Sequence, residues 1–214
     1  MLTKPRLSPS DPAEWLGDWH PLAEQLGSTD GLVTLSSVST LLKLSPVRDA
    51  KSLRNFLQNY QTHILLPIEL PAIQAAYGHA TRFETRELVA LDRQLENERV
   101  LQSFAAASRR VGQSQLEKLR PLRDQRLVQR YLSAVEEGQA NGWHTLVYGM
   151  TLAIYSLPLR QGLLGYAHQT TQGFIHSAAR NLRLSERKCR ALFADLCSGL
   201  PERIAELMSG KMAA

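Results

Sequence analysis

Apolar residues recur along this chain at spacings of three and four rather than two, which is the periodicity of helices with one buried face. Ser10-Asp11-Pro12 opens a first predicted helix carrying Trp15, Trp19 and Leu22, which ends near Gly27. A short helix is predicted from Ser37 to Leu44. Asp49 then caps a helix whose Leu53, Phe56, Leu57, Tyr60 and Ile64 keep helical spacing until Pro67. Pro71 opens another short one through Tyr77, and the longest runs from about Glu84 to Val111. Its inward stripe is Leu88, Leu91, Leu95, Phe104, Ser108 and Val111, with Glu87, Arg93, Glu96 and Arg99 towards water. Pro121 breaks the chain, and Leu127, Val128, Tyr131, Leu132 and Val135 mark an amphipathic helix before Gly138. Two closing helices run from Ser185 to Cys197 and from Pro201 to Met208. The pattern predicts an all-α, single-domain bundle of about nine or ten helices over residues 1–214, with 1–11 and 209–214 as flexible ends.

Between the last two groups lies a stretch unlike the rest. From Gly138 to Ala179, Arg160 is the single formal charge. Two helix-length segments meet there at Leu157-Pro158-Leu159. A surface helix needs a charged face, so this pair must be buried on most sides. Asn141, His144, Gln161, His168, Gln169 and Gln172 interrupt any run long enough to span a bilayer, which argues against a membrane segment. Gly149, Gly162, Gly165 and Gly173 fall inside the predicted helices, where each costs about 1 kcal/mol relative to alanine. Such a cost is accepted where a neighbouring helix, or a second copy of the chain, must approach closely.

Charge changes the picture in one place. From Arg109 to Arg130 seven basic residues face only Glu117 and Asp124, which equals the +5 excess of the whole chain. The stretch suits an acidic protein partner, nucleic-acid phosphates, or simply a solvated hinge. It holds no aromatic residue before Tyr131, which makes single-strand stacking, and nucleic acid in general, the weaker alternative. Cys189 and Cys197 lie eight residues apart in a predicted helix, too far to pair and in no redox or zinc pattern. Reduced thiols, and an N-terminus without the apolar core of a secretory signal, point to the cytoplasm.

Catalytic chemistry finds little footing. There is no GxxxxGK[ST] phosphate loop, no GxSxG, no HExxH and no paired-carboxylate motif, so neither an enzyme nor a cofactor is expected. His144, His168 and His176 form the candidate metal set. His168 and His176, eight positions apart on a helix, are rotated by about 80°, and no acid lies between Gly138 and Ala179 to complete a site. Core histidines are the preferred reading over metal ligands, although imidazole suits transient contact with a divalent transition metal. Arg109 and Arg110 are candidates for an acidic partner, or for ion pairs with Glu96 or Glu98.

Two blocks carry a family resemblance. The first spans Glu87 to Leu119, with Glu87, Leu88, Asp92, Ala107, Ser108, Arg109, Arg110 and Gly112 in order. The second runs from Asn141 to Arg180, with Gly142, His144, Val147, Gly149, Leu157-Pro158-Leu159, Tyr166 and Ala178-Ala179-Arg180. Together with Val47–Leu57, this series resembles the UreF-type urease accessory proteins. Two segments depart from the family pattern: Ser37-Val38-Ser39 stands in place of Gly-Leu-Glu, and 181–186 in place of Pro-Leu-Gly-Gln.

The resemblance implies an all-α, non-enzymatic protein that dimerises. It implies as partners a urease scaffold accessory protein, a nickel-binding GTPase and apo-urease. The positions it places at partner contacts are Ser108, Arg109, Arg110, Gly112, His144, Tyr166 and Arg180. The glycines Gly149, Gly162, Gly165 and Gly173 would serve helix packing or the dimer face.

Overall fold

The computed structural model describes residues 42–44 and 46–210. Its helices are α1 (Ala50–Tyr60), α2 (Leu70–Thr81), α3 (Thr85–Glu96), α4 (Ala105–Leu119) and α5 (Arg126–Glu136). They continue as α6 (His144–Ile154), α7 (Leu159–Leu182), α8 (Glu186–Cys197) and α9 (Leu200–Met208). No strand occurs among the described residues, so the all-α reading holds.

Among the described residues the helical rods are fewer than the nine or ten expected of the whole chain. The helix expected around Trp15 and Trp19 lies outside the described residues. So does most of the one expected from Ser37 to Leu44; Leu42 and Lys43 at its end form a turn. A second cause is Pro67, which does not end its helix. A π-helical stretch, Gln61–Glu69, joins α1 to α2, so one rod runs unbroken from residue 50 to 81. Proline cannot donate to the backbone ladder, and its ring collides with the carbonyl four residues back in an α-helix. The wider turn relieves that collision, and the ladder resumes with Leu70 N–H on the Leu65 carbonyl. The short helix expected from Pro71 to Tyr77 is therefore the far end of this rod.

The long helix expected from Glu84 to Val111 is two helices. Glu98 takes an extended conformation (ψ 102°), and a 3-10 turn, Arg99–Phe104, leads into α4. Leu101 and Phe104, within this turn, are both almost wholly buried.

Helix starts follow local chemistry. Asp49 caps α1 by accepting from Ser52 N–H while the Ser52 hydroxyl accepts from Asp49 N–H, a reciprocal box. Ser185 caps α8 through Lys188 N–H. At the turn after α2, Arg82 and His79 close on the Glu84 carboxylate around an exposed Phe83 held at φ 57°.

Packing centres on α6, which is buried at every position from His144 to Leu152. It lies along α2, where a Cβ added at Gly149 would meet the Ile73 carbonyl oxygen at 2.4 Å. It also lies against α7, where a Cβ at Gly162 would meet Leu152 Cδ1 at 2.3 Å. The Tyr148 hydroxyl donates to the Gly162 carbonyl at 3.0 Å, while His144 faces Tyr166, so α6 and α7 run antiparallel. Phe56 and Tyr60 of α1 pack edge-on against Phe174 of α7, with ring centroids 5.8 and 4.9 Å apart. The nearly uncharged pair inferred from sequence is thus wrapped by α1, α2, α4, α8 and α9.

Candidate partner-binding junction at the start of α6

The start of α6 lacks a capping side chain of its own, because Trp143 occupies the N-cap and offers no acceptor. The exposed N–H groups of a helix start need partners when buried. Here they come from other helices. His144 N–H donates to Ser108 Oγ of α4 at 3.3 Å. The Asp92 carboxylate of α3 receives the three preceding backbone N–H groups: Asn141 at 2.6 Å, Gly142 at 3.0 Å and Trp143 at 3.5 Å. Asn141 Nδ2 adds a bond at 3.0 Å, and the Tyr131 hydroxyl of α5 donates at 2.6 Å. A negative group at a helix start also meets the positive end of the helix dipole. Asp92 has no solvent exposure. Five donors and a dipole together offset the desolvation that would otherwise exclude a buried carboxylate.

Backbone shape completes the junction. Gly142 sits at φ 72°, the left-handed region that favours glycine. Gly112 of α4 faces its carbonyl so closely that a Cβ there would lie 2.0 Å from the Gly142 oxygen. Outside this contact, Arg109 reaches over the Trp143 ring, its guanidinium carbon 5.2 Å from the ring centroid, and pairs with Glu96 of α3. Arg109 is 29% exposed, at the rim of the junction. Arg110 is exposed.

A second polar group lies beneath. The Tyr60 hydroxyl donates to Glu69 at 2.6 Å, and both are buried. Burial, then the Glu69 charge, holds the phenols of Tyr60 and Tyr166 well above their ordinary range. His144 packs between Tyr148 and Tyr166, with ring centroids 6.1 and 5.9 Å away.

The structure therefore brings Ser108, Arg109, Gly112 and His144 into one junction, with Tyr166 against its inner side. Ser108, Gly112, His144 and Tyr166 are buried and Arg109 is the surface member; Arg110, two residues from both Ser108 and Gly112, is exposed on another side of α4. Arg180 lies apart, in the last turns of α7. Gly149 and Gly162 are close-approach positions within the chain, Gly173 is buried, and Gly165 is half-buried. His168 stands against Phe193, and His176 lines a groove of ≈ 370 Å³ between α7 and α8. Among the described residues no three His, Cys, Asp or Glu side chains gather as a metal site. Cys189 and Cys197 are free and buried, and burial pushes the Cys197 thiol up to about 11. No described helix is long and apolar enough to cross a membrane.

Sequence reasoning recorded Asp92 only as a family position and missed its role. The signal was present: Asp92 falls between Leu88 and Leu95 at spacings of four and three, on the buried face.

No curated protein matches the chain. The UreF family profile matches residues 47–197, from the approach to α1 to the end of α8, and this span contains the whole junction. With well over half of its length matched, the chain belongs to the UreF family of urease accessory proteins.

Proposed function

We propose that this chain is a non-enzymatic adaptor for nickel insertion into apo-urease, bridging a scaffold protein and a nickel-carrying GTPase. In this reading it acts as a homodimer in the cytoplasm. The family match over residues 47–197 carries the proposal. The junction at the start of α6 gives it a physical form. Ser108, Gly112, His144 and Tyr166 are buried and act by fixing the start of α6. Arg110, exposed on α4, offers its guanidinium group to carboxylates of a partner, while Arg109 sits at the rim paired with Glu96. Nickel is cargo in this scheme and needs no resident site in the chain.

Segment 181–186 favours a second reading, an adaptor of the same fold serving another complex. It departs from the family pattern at the turn from α7 into α8, where Arg183 sits at φ 50°. Co-expression with the urease scaffold and GTPase of the same organism separates the two. The complex is purified on a tag and sized by light scattering, with Arg110→Glu and Gly165→Leu run alongside. A stoichiometric three-protein complex, weakened by Arg110→Glu, is the expected result. A folded helical protein that joins neither partner overturns the urease reading in favour of the second.

A further inference from the structure

The positive excess between Arg109 and Arg130 is not disposed of evenly by the fold. Arg109 is taken by Glu96 and Trp143. Arg120 binds Glu117 and Glu136 together, so those two carboxylates are already committed. Arg123, Arg126 and Arg130 remain at the corner between α4 and α5. All three are exposed, and among the described residues none makes an ion pair. Asp124 is the sole acid between residues 121 and 135.

The corner is rigid. The Gln129 amide donates to the carbonyls of Arg120 and Leu122, at 3.1 and 3.2 Å. Leu127, Val128 and Tyr131 anchor α5 in the core beneath. The arginines therefore stand on a fixed backbone, and little backbone ordering remains to be done on binding.

Their placement also opposes the helix they stand on. The first turn of α5 contains no acid, and Gln125 gives it no side-chain cap. Helix starts favour anions, yet Arg126 is the first helical residue and Arg130 follows one turn later. No contact within the fold repays that arrangement. A local rule broken without structural return is characteristic of a surface kept for binding.

We propose that the α4–α5 corner is a docking surface for an acidic segment of a partner protein, with Arg123, Arg126 and Arg130 pairing with its carboxylates. The inference goes beyond the adaptor reading and rests on the corner beyond the end of α4, not on Arg109 and Arg110 in its first half. Protein carboxylates are favoured over nucleic acid for two reasons. Tyr131 is fully buried and bound to Asp92, so no base can stack on it. Three cations at one corner also fall short of the roughly 6–10 phosphate contacts of a duplex-binding track.

The test uses the full chain and two fluorescein-labelled probes, an octa-glutamate peptide and a single-stranded oligonucleotide of equal charge. Anisotropy is read at low and raised salt, beside thermal unfolding. Wild type is expected to bind the peptide with an affinity that falls as salt rises. Arg123→Gln, Arg126→Gln and Arg130→Gln combined are expected to weaken it about tenfold. Arg126→Glu is expected to weaken binding while leaving the thermal midpoint unchanged or raised, a pairing that a structural role would not give. The proposal is overturned if wild type ignores the peptide at low salt, or if the triple variant binds it equally well. It is also overturned if Arg126→Glu destabilises the fold, or if the oligonucleotide binds the same arginines more tightly than the peptide.

Discussion

The Tyr131 phenol and the Asp92 carboxylate, neither with any solvent exposure, meet at 2.6 Å across thirty-nine residues of sequence. Through this contact α3 and α5 hold the acceptor that the start of α6 cannot provide for itself. Tyr131→Phe removes one charged hydrogen bond and should cost about 1.5–3 kcal/mol. Asp92→Ala strands the buried N–H groups of Gly142 and Trp143 and should cost about 3–5 kcal/mol. Chemical denaturation midpoints measure both, and equal small losses for the two variants would contradict this account.

Alkaline conditions should unfold the protein through its buried phenols. Burial raises Tyr60, Tyr131 and Tyr166 well above their ordinary value, so all three stay protonated in the folded state. The stability this confers is complete below about pH 10 and is lost as pH rises further, because only the unfolded chain then releases these protons. Each phenol adds a slope of about 1.4 kcal/mol per pH unit in that range. Cys197, pushed up to about 11, adds to the decline from about pH 9 upward, its ordinary value. Denaturant midpoints against pH give the slope, and Tyr131→Phe should make it shallower.

Three glycines should rank by what a new methyl group would strike. At Gly112 it meets backbone, the Gly142 oxygen at 2.0 Å; at Gly149 it also meets backbone, the Ile73 oxygen at 2.4 Å. At Gly162 the nearest atoms belong to the Leu152 side chain, which can rotate away. Alanine gains up to about 1 kcal/mol from helix propensity, whereas overpacking costs about 1–3 kcal/mol or more. Gly112→Ala and Gly149→Ala should therefore lower the thermal midpoint clearly, and Gly162→Ala least. Indistinguishable midpoints would refute the ranking.

At the α2–α3 turn, Arg82 and then His79 hold the Glu84 carboxyl down to about 2. The contribution of this turn to stability is present above the ordinary carboxylate range and is lost as pH falls towards 2. Carboxyl-carbon NMR should show Glu84 titrating near that value, with Arg82→Ala moving it upward.

Arg109 and its neighbour should separate stability from surface. Arg109→Ala removes both the Glu96 pair and the stacking on Trp143, and should cost about 1–2 kcal/mol. Arg110→Ala, at an exposed position, should change stability by less than about 1 kcal/mol. Unfolding curves for the two variants make the comparison, and Arg110 is then the cleaner probe of partner binding.

Much of the fold was legible because helix ends are written locally. Asp49 with Ser52, Ser185, Gly138 and the Leu157-Pro158-Leu159 turn all mark boundaries where the structure has them. Pro67 misled, because a π-helical turn that absorbs a proline depends on the packing of Ile64, Leu65 and Leu66 around it, not on a local signal. The break at Asn97-Glu98 carries neither glycine nor proline; it follows from where Leu101 and Phe104 must enter the core. The junction was half legible. Ser108, Gly112 and His144 were singled out by family spacing. Their common purpose came into view only with Asp92, whose backbone donors lie 49 to 51 residues downstream.

That separation sets an order of events during synthesis. Asp92 leaves the ribosome about fifty residues ahead of Asn141, Gly142 and Trp143, a wait of about 2–10 seconds at ordinary elongation rates. Tyr131 follows thirty-nine residues behind Asp92, and the three backbone N–H groups complete its set of donors only at the end of that interval. The contacts that α2, α3 and α4 make with α6 and its start therefore form only once the uncharged half of the chain has been made.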